Sequence, residues 1–114
     1  MELFKKTIET INGIDINFIA LNEEIPLSEL LPDYTDEEIN KIYEDNVVFC
    51  AKVEAKYKGI ELASDYLGGC IYGWYDDFYD RYKDDYFKDM YNNVLKDAKK
   101  EIEILKQDIK ELTI

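Results

Sequence analysis

The sequence predicts an α+β fold in the order β-β-α-β-β-α: two antiparallel β-hairpins form one sheet, a short acidic helix lies between them, and a long C-terminal helix packs on the sheet. Three observations lead to this prediction. Asn12-Gly13 and Lys58-Gly59 each interrupt an apolar or alternating run, as hairpin turns do. An acidic stretch that holds both prolines separates the two runs. No glycine or proline follows residue 73, which favours a helix, and we expect residues 1–114 to form a single domain.

The first hairpin, TIETINGIDINFIAL, admits two registers. A two-residue loop pairs Ile11 with Ile14 and sets Glu9 on the apolar face. A three-residue loop, with Gly13 left-handed, pairs Thr10 with Ile14. We predict the three-residue loop, because it gathers on one face the apolar residues of both strands. These are Phe4, Ile8, Ile16, Phe18 and Ala20.

Residues 22–46 hold nine acids and one base. PLSELL predicts a helical turn that starts at Pro26 and is stopped by Pro32. TDEEINKIYEDN predicts a second short helix, in which Thr35 caps the N-terminus and Glu38 completes a capping box. The inward stripe of this helix is expected to be Ile39, Ile42 and Tyr43.

The second hairpin, VVFCAKVEAKYKGIELASDY, alternates apolar and charged residues as a half-buried strand does. A two-residue loop at Lys58-Gly59 places Tyr57 beside Ile60 and Ala55 beside Leu62. Gly68-Gly69 is expected to end the following strand or to bend it.

The C-terminal helix carries an apolar seam with spacings of four and three. The seam residues are Tyr91, Leu95, Ala98, Ile102, Leu105, Ile109 and Leu112. A helix over 86–112 is about 40 Å long, longer than a small sheet is wide, so its end projects or pairs with another helix. The hypothesis is that Ile102, Leu105, Ile109 and Leu112 bury against a second copy and form a homodimer.

The formal net charge of −12 excludes direct binding to DNA, RNA or anionic membranes, since each of these repels an acidic chain. It favours a basic partner. No apolar run approaches the roughly 20 residues that span a bilayer, and MELFKKTIET lacks the apolar stretch of a signal peptide. The expected location is the cytoplasm of a host cell.

The residue types predict a protein that is not an enzyme and binds no cofactor or metal. The chain has no histidine, which excludes Ser-His-Asp and Cys-His arrangements. Cys50 and Cys70 are too few for a zinc site, and in the cytosol we expect free thiols, with a disulfide as the alternative. The acids of residues 22–46 lack the ligand spacing and central glycine of a calcium loop.

The stretch YGWYDDFYDRYKDDYFKDMYNN, residues 72–93, holds nine aromatic residues and six aspartates. On one helix, Tyr75, Phe78, Tyr79, Tyr82 and Tyr86 form a stripe. This stripe is either core with a solvated acidic back, or a surface that binds arginine-rich partners through rings and carboxylates. Aspartate is a poor helix former, which favours the second interpretation. The candidate partner-binding residues are Asp36, Glu37, Glu38, Tyr75, Asp76, Asp77, Tyr79, Asp80, Tyr82, Asp84 and Asp85.

A small, strongly acidic, tyrosine-rich chain without histidine resembles the anti-CRISPR and anti-restriction proteins of phages and mobile elements. The segments ASDYLGGCIYGWYDDF and YFKDMYNNVLKDA are similar to parts of small phage proteins, so the resemblance covers about residues 60–100. It is one of general character and implies an inhibitor that imitates phosphate charge and blocks a basic, nucleic-acid-binding surface of a host defence protein, such as a CRISPR effector nuclease. The alternative is a small structural adaptor that homodimerises through its C-terminal helix.

Overall fold

The computed structural model describes residues 1–80 and 85–112 as an α+β domain with one four-stranded antiparallel sheet. The elements are β1 (Glu2–Ile11), β2 (Ile14–Leu21), α1 (Leu27–Leu30), α2 (Asp36–Asp45), β3 (Val47–Tyr57), β4 (Ile60–Tyr72), α3 (Tyr75–Tyr79) and α4 (Asp85–Glu111). Strands pair in the order β1-β2-β3-β4. The predicted class and the long C-terminal helix are confirmed, and the helical turn predicted in PLSELL is present as α1. The predicted element order lists neither α1 nor α3.

The turn of the first hairpin differs from the prediction. Ile11 pairs directly with Ile14, and Asn12 (φ 52°) and Gly13 (φ 81°) form a two-residue loop. Positive φ at both central residues is the type I′ geometry, whose twist matches that of the flanking strands. The left-handed Gly13 is therefore confirmed, and the three-residue loop is wrong.

A bulge at Ile8 explains why the predicted apolar face nevertheless forms. Thr7 pairs with Asn17 but Glu9 pairs with Ile16, so Ile8 is an extra residue in β1. Beyond it the pairing follows the predicted register, with Phe4 opposite Ala20. The extra residue reverses the faces of the strand and lets Phe4 and Ile8 both pack against the core.

The carboxylate of Glu9 faces α4. Its position on the apolar face is the feature that argued against a two-residue loop. The hydroxyl of Tyr91 on α4 donates a hydrogen bond to this carboxylate. A buried polar group is tolerated where it finds a partner, and the helix supplies one that the hairpin sequence does not reveal.

In the second hairpin the predicted pairing of Tyr57 with Ile60 is confirmed. Ala55 pairs with Ala63 and not with Leu62, because Leu62 is an extra residue of β4. At Gly68-Gly69 the strand neither ends nor leaves the sheet. It accommodates one more extra residue there, with Gly69 at φ 68°, and continues to Tyr72.

Gly59 offers a direct test of the second turn. Its φ is +81°, and an added Cβ would meet no neighbouring atom, so an alanine there costs only backbone strain. We expect Gly59→Ala to lower the free energy of unfolding by about 1 kcal/mol. Gly59→Asn should lower it less, because asparagine enters the left-handed region more readily. Urea unfolding of the three proteins measures the difference, and equal losses for both variants would contradict a left-handed residue at position 59.

The core lies between one face of the sheet and the helices α3 and α4. Its largest fully buried side chains come from four elements: Phe18, Phe49, Phe78 and Phe87. Phe18 and Phe49 meet edge-to-face with their ring centroids 6.0 Å apart, and Phe78 touches both rings. Each ring contributes about 1.5–3 kcal/mol through burial, so this cluster dominates the packing energy.

The opposite face of the sheet carries a buried polar network. Glu54 and Asn17 are only 2% and 3% exposed. The Asn17 amide donates to the Glu54 carboxylate over 3.0 Å, and the Thr7 hydroxyl donates to Asn17 over 2.8 Å. Lys52 and Lys56 approach the same carboxylate to 3.4 and 4.0 Å. No buried side-chain polar atom in the described part of the chain is left without a partner, so this network is satisfied.

Lys52 links the network to β4. Its ammonium lies 2.7 Å from the Glu61 carboxylate and 5.5 Å from the centre of the Tyr66 ring. Burial acts to lower the pKa of Lys52, but the hydrogen bonds and charges of Glu61 and Tyr66 outweigh it and raise that pKa above its usual value. The alternation of charged residues in β3 predicted a polar face, but not its burial.

The far end of α4 projects beyond the sheet. The described residues measure 64 × 26 × 20 Å, with a radius of gyration of 17.4 Å. A compact chain of this length has a radius of gyration of about 13 Å. Ala98 is buried and Ile102 is half-buried against the core, but Ile109 is 64% exposed. The projecting segment therefore begins after Ile102.

Candidate binding surface at the acidic end

The two acidic segments emerge at the same end of the sheet. The segment with α1 and α2 connects the end of β2 to the start of β3, and α3 follows the end of β4. Val47 at the start of β3 pairs with Tyr72 at the end of β4, which brings α2 and α3 to the same end of the sheet. We call this end of the molecule, formed by residues 22–46 and 73–80, the acidic end. The two hairpin turns lie at the other end.

The acidic end extends over both faces of the sheet. Rings of α3 contact Phe4 and Phe18 on the face that α4 covers. The α1 segment lies on the opposite face, where the Glu23 carboxylate accepts a hydrogen bond of 2.6 Å from the Gly69 amide. The two acidic segments thus lie at the same end of the sheet, one on each of its two faces.

The predicted binding residues Asp36, Glu37 and Glu38 form the exposed first turn of α2. The predicted capping box is present: Thr35 accepts from the Glu38 amide, and the Glu38 carboxylate accepts from the Thr35 amide over 2.9 Å. These hydrogen bonds lower the pKa of Glu38. The first turn of α2 thereby presents three carboxylates at the N-terminus of the helix, which suits its dipole, and the Glu38 carboxylate is held in the capping box.

The inward stripe of α2 is only partly as predicted. Ile39 is buried and Ile42 is half-buried, but Tyr43 is exposed. The Tyr43 hydroxyl accepts a hydrogen bond of 3.4 Å from the Leu27 amide, so the ring lies along α1 instead of entering the core.

The aspartates of α3 differ in exposure. Asp76 is exposed, and Asp77 and Asp80 are half-buried. Asp80 has φ −72° and ψ 107°, and its amide closes α3 on the Asp76 carbonyl. The prediction of one continuous helix through residues 75–91 is therefore wrong, because the chain is extended at Asp80. Asp85 is exposed at the start of α4. The predicted residues Tyr82 and Asp84 lie outside the described residues.

Tyr75 and Tyr79, predicted as binding rings, belong largely to the core. The Tyr75 ring stacks on Phe4 at 4.8 Å and 15°, and the Tyr79 ring lies 5.2 Å from that of Phe18. Burial and then the charge of Asp76 raise the pKa of the Tyr79 hydroxyl. Both rings are half-buried, so they present an edge to solvent beside Asp76 while their bodies hold α3 on the sheet.

Sequence reasoning missed the rings that are most exposed at this end. Trp74 is 54% exposed at the N-cap position of α3. Tyr34 precedes α2, Tyr43 lies within α2, Tyr86 is the second residue of α4, and all three are exposed. Each of the four lies within three residues of an aspartate or glutamate. The exposure of Trp74 and Tyr34 could have been predicted from their positions just before a helix, because helical periodicity assigns no inward face there.

The candidate metal ligands and the two cysteines were located in the described residues. Among residues 1–80 and 85–112, no three His, Cys, Asp or Glu side chains group as metal ligands do. Cys50 and Cys70 form no disulfide, because Cys70 lies in the core and Cys50 lies beside Glu23 on the other face. Burial and then the Glu23 charge raise the pKa of the Cys50 thiol, which makes it a weaker nucleophile.

Comparison of the chain with protein-family models, with curated proteins and with solved structures gave no significant match. Within the described ranges, no helix combines the length and the apolar character that crossing a membrane requires.

Proposed function

We propose that the acidic end binds a basic, nucleic-acid-binding surface of a host defence protein and blocks it, as anti-CRISPR and anti-restriction inhibitors do. The chain is then a non-enzymatic binding protein. The main observation that supports the proposal is that exposed carboxylates and exposed rings lie together at one end of the sheet. Residues 22–46 alone hold nine acids against one base.

Rings beside carboxylates suit arginine in particular. A guanidinium stacks on an aromatic face and at the same time donates hydrogen bonds to a carboxylate. Trp74 and Asp76 are both exposed and lie two residues apart at the start of α3. Tyr34 and Asp36 repeat this spacing at the start of α2. Each pair provides one stacking surface and one acceptor for an arginine.

The carboxylates fit a surface that otherwise binds phosphates. Phosphate contacts supply most of the affinity of nucleic-acid-binding proteins and depend strongly on salt. A protein that presents fixed carboxylates to the same lysines and arginines competes for them. The capping box orders the backbone of the first turn of α2, which carries Asp36 and Glu37. This preorganisation reduces the ordering cost of binding.

The test uses a panel of purified CRISPR effector nucleases and restriction endonucleases and measures their DNA binding and cleavage with increasing amounts of the protein. We expect inhibition of at least one enzyme that weakens as salt is raised and is relieved by excess nucleic acid. A variant with Asp36→Asn, Glu37→Gln and Asp76→Asn removes three exposed charges at the acidic end. It should inhibit about tenfold less well, since exposed ion pairs contribute about 0.2–1 kcal/mol each.

A matched control removes three exposed charges from the projecting end of α4 through Glu103→Gln, Asp108→Asn and Glu111→Gln. The control has the same net charge as the acidic-end variant but should inhibit nearly as well as the wild type. Equal losses in the two variants would mean that only overall charge matters. That result contradicts the proposal, as does a panel in which no enzyme is inhibited.

A further inference from the structure

An apolar groove lies at the end of the molecule opposite the acidic end. It has a volume of about 550 Å³. One wall comes from the hairpins and the other from α4, and its apolar lining consists of Ile14, Tyr57, Leu62, Ile102, Leu105 and Ile109. The groove exists because α4 continues past the last residues of the sheet and leaves its inner face open beside the hairpin turns.

The seam of α4 becomes more exposed toward its C-terminus. Ile102 is half-buried against its own core, so only part of its side chain is available for the predicted dimer contact. Leu105 and Ile109 line the groove, and Leu112 continues the seam in solvent. Monomeric soluble proteins rarely expose a continuous apolar surface of more than a few hundred Å². After Ile102 the exposed seam residues are Leu105, Ile109 and Leu112, and Tyr57 is exposed as well.

The charge of this end differs from that of the rest of the chain. Residues 99–111 hold four lysines and four acids, whereas the whole chain carries −12. Two copies of the chain repel each other at their acidic ends. They can meet along residues 99–111 without net repulsion, because this part of α4 is neutral and has charges of both signs.

We propose that the groove holds the projecting end of α4 from a second copy of the chain, and that the contact is reciprocal. The seam that projects is the one that faces the sheet further back along α4. A parallel partner helix on this seam would occupy the space of the sheet itself. An antiparallel partner helix ends beside the hairpin turns. Leu112 of each copy then approaches Tyr57 in the groove of the other copy.

This dimer is independent of the function of the acidic end, because the two surfaces lie at opposite ends of the sheet. Antiparallel pairing directs the two acidic ends away from each other, so both remain available to partners. Each projecting segment is short, and the shared area is that of a weak interface. Dissociation is therefore expected in the micromolar range.

Two exposed isoleucines provide a matched test. Ile109 is 64% exposed and lines the groove, while Ile104 is 54% exposed and does not. Neither contributes to the core of a monomer, so Ile109→Asp and Ile104→Asp should both fold. By sedimentation equilibrium up to several hundred micromolar, the wild type and Ile104→Asp should dimerise. Ile109→Asp should raise the dissociation constant at least about tenfold.

A wild type that stays monomeric over this range overturns the proposal and leaves the groove to a partner of different sequence. Equal dissociation constants for the two variants overturn it as well, since the seam would then have no special role. The orientation has its own readout: single cysteines introduced by Tyr57→Cys in one chain and Leu112→Cys in another, with Cys50 and Cys70 changed to alanine, should cross-link in the mixture. Failure of this cross-link in a protein that does dimerise contradicts the antiparallel arrangement.

Discussion

Phe78→Ala should lower the free energy of unfolding by about 3–5 kcal/mol, the largest effect that we expect from a single substitution in this protein. Phe78 is fully buried in a helix of five residues. Its ring lies 5.5 Å from that of Phe18, 5.3 Å from Tyr72 and 6.2 Å from Phe87. Alanine there removes the contacts that hold α3 to both the sheet and α4. Thermal and urea unfolding should show a decrease in melting temperature of more than about 10 °C.

Trp74→Ala is the matched control, because it removes a larger ring from the same segment. Trp74 is more than half exposed, so its loss should change the free energy of unfolding by less than about 0.5 kcal/mol. If Phe78→Ala were no more destabilising than Trp74→Ala, α3 would not be an anchor of the core. The aromatic stretch would then be a surface throughout.

Glu54→Ala should lower the free energy of unfolding by about 2–3 kcal/mol. The substitution leaves the buried Asn17 amide without its acceptor, and it removes a carboxylate that two lysines approach. Lys52 keeps its contact with Glu61, which places the expected loss at the lower end of that for a broken buried ion pair. Urea unfolding at neutral pH measures the change.

Two further variants complete the test: Glu54→Gln separates the hydrogen bond from the charge, and Asp45→Ala is a control at an exposed ion pair. Glu54→Gln retains an acceptor for Asn17 and should lose only about 1 kcal/mol. Asp45→Ala breaks the exposed pair with Lys41, whose atoms are 3.2 Å apart, and should have almost no effect. If Glu54→Ala proved as mild as Asp45→Ala, water would reach the network, and the polar face would be open where the structure has it closed.

Much of the fold could be predicted from residue patterns because local rules and tertiary packing agree in it. The positions of the two turns, the capping box of Thr35 and Glu38, and the helix from Asp85 follow from short-range chemistry. The pairing registers could not be predicted because bulges change them. An extra residue such as Ile8 is stabilised by packing against the core, and the neighbouring Glu9 accepts a hydrogen bond from Tyr91, which lies 82 positions further along the chain.

The candidate site was predicted less well than the fold. Periodicity placed Tyr75 and Tyr79 correctly on one face of a helix, but it could not tell that this face meets Phe4 and Phe18. The same rule assigned Tyr43 inward, whereas its hydroxyl accepts a hydrogen bond from the Leu27 amide of α1 and its ring is exposed. Which face of a short helix is buried depends on the element that covers it, and that element is set by the assembled sheet.

The bulges have a consequence for how the protein behaves at high concentration. Every register shift in the sheet adds its extra residue to β1 or β4, the two outer strands, whereas β2 and β3 pair without interruption. An outer strand with a regular row of free amides and carbonyls is a template on which strands of other molecules add, the first step toward amyloid. Here Leu3 and Ile8 break that row on one side, and Leu62 and Gly68-Gly69 break it on the other. The irregular outer strands thus give a sheet that cannot easily be extended from either side, and any self-association is left to the helix.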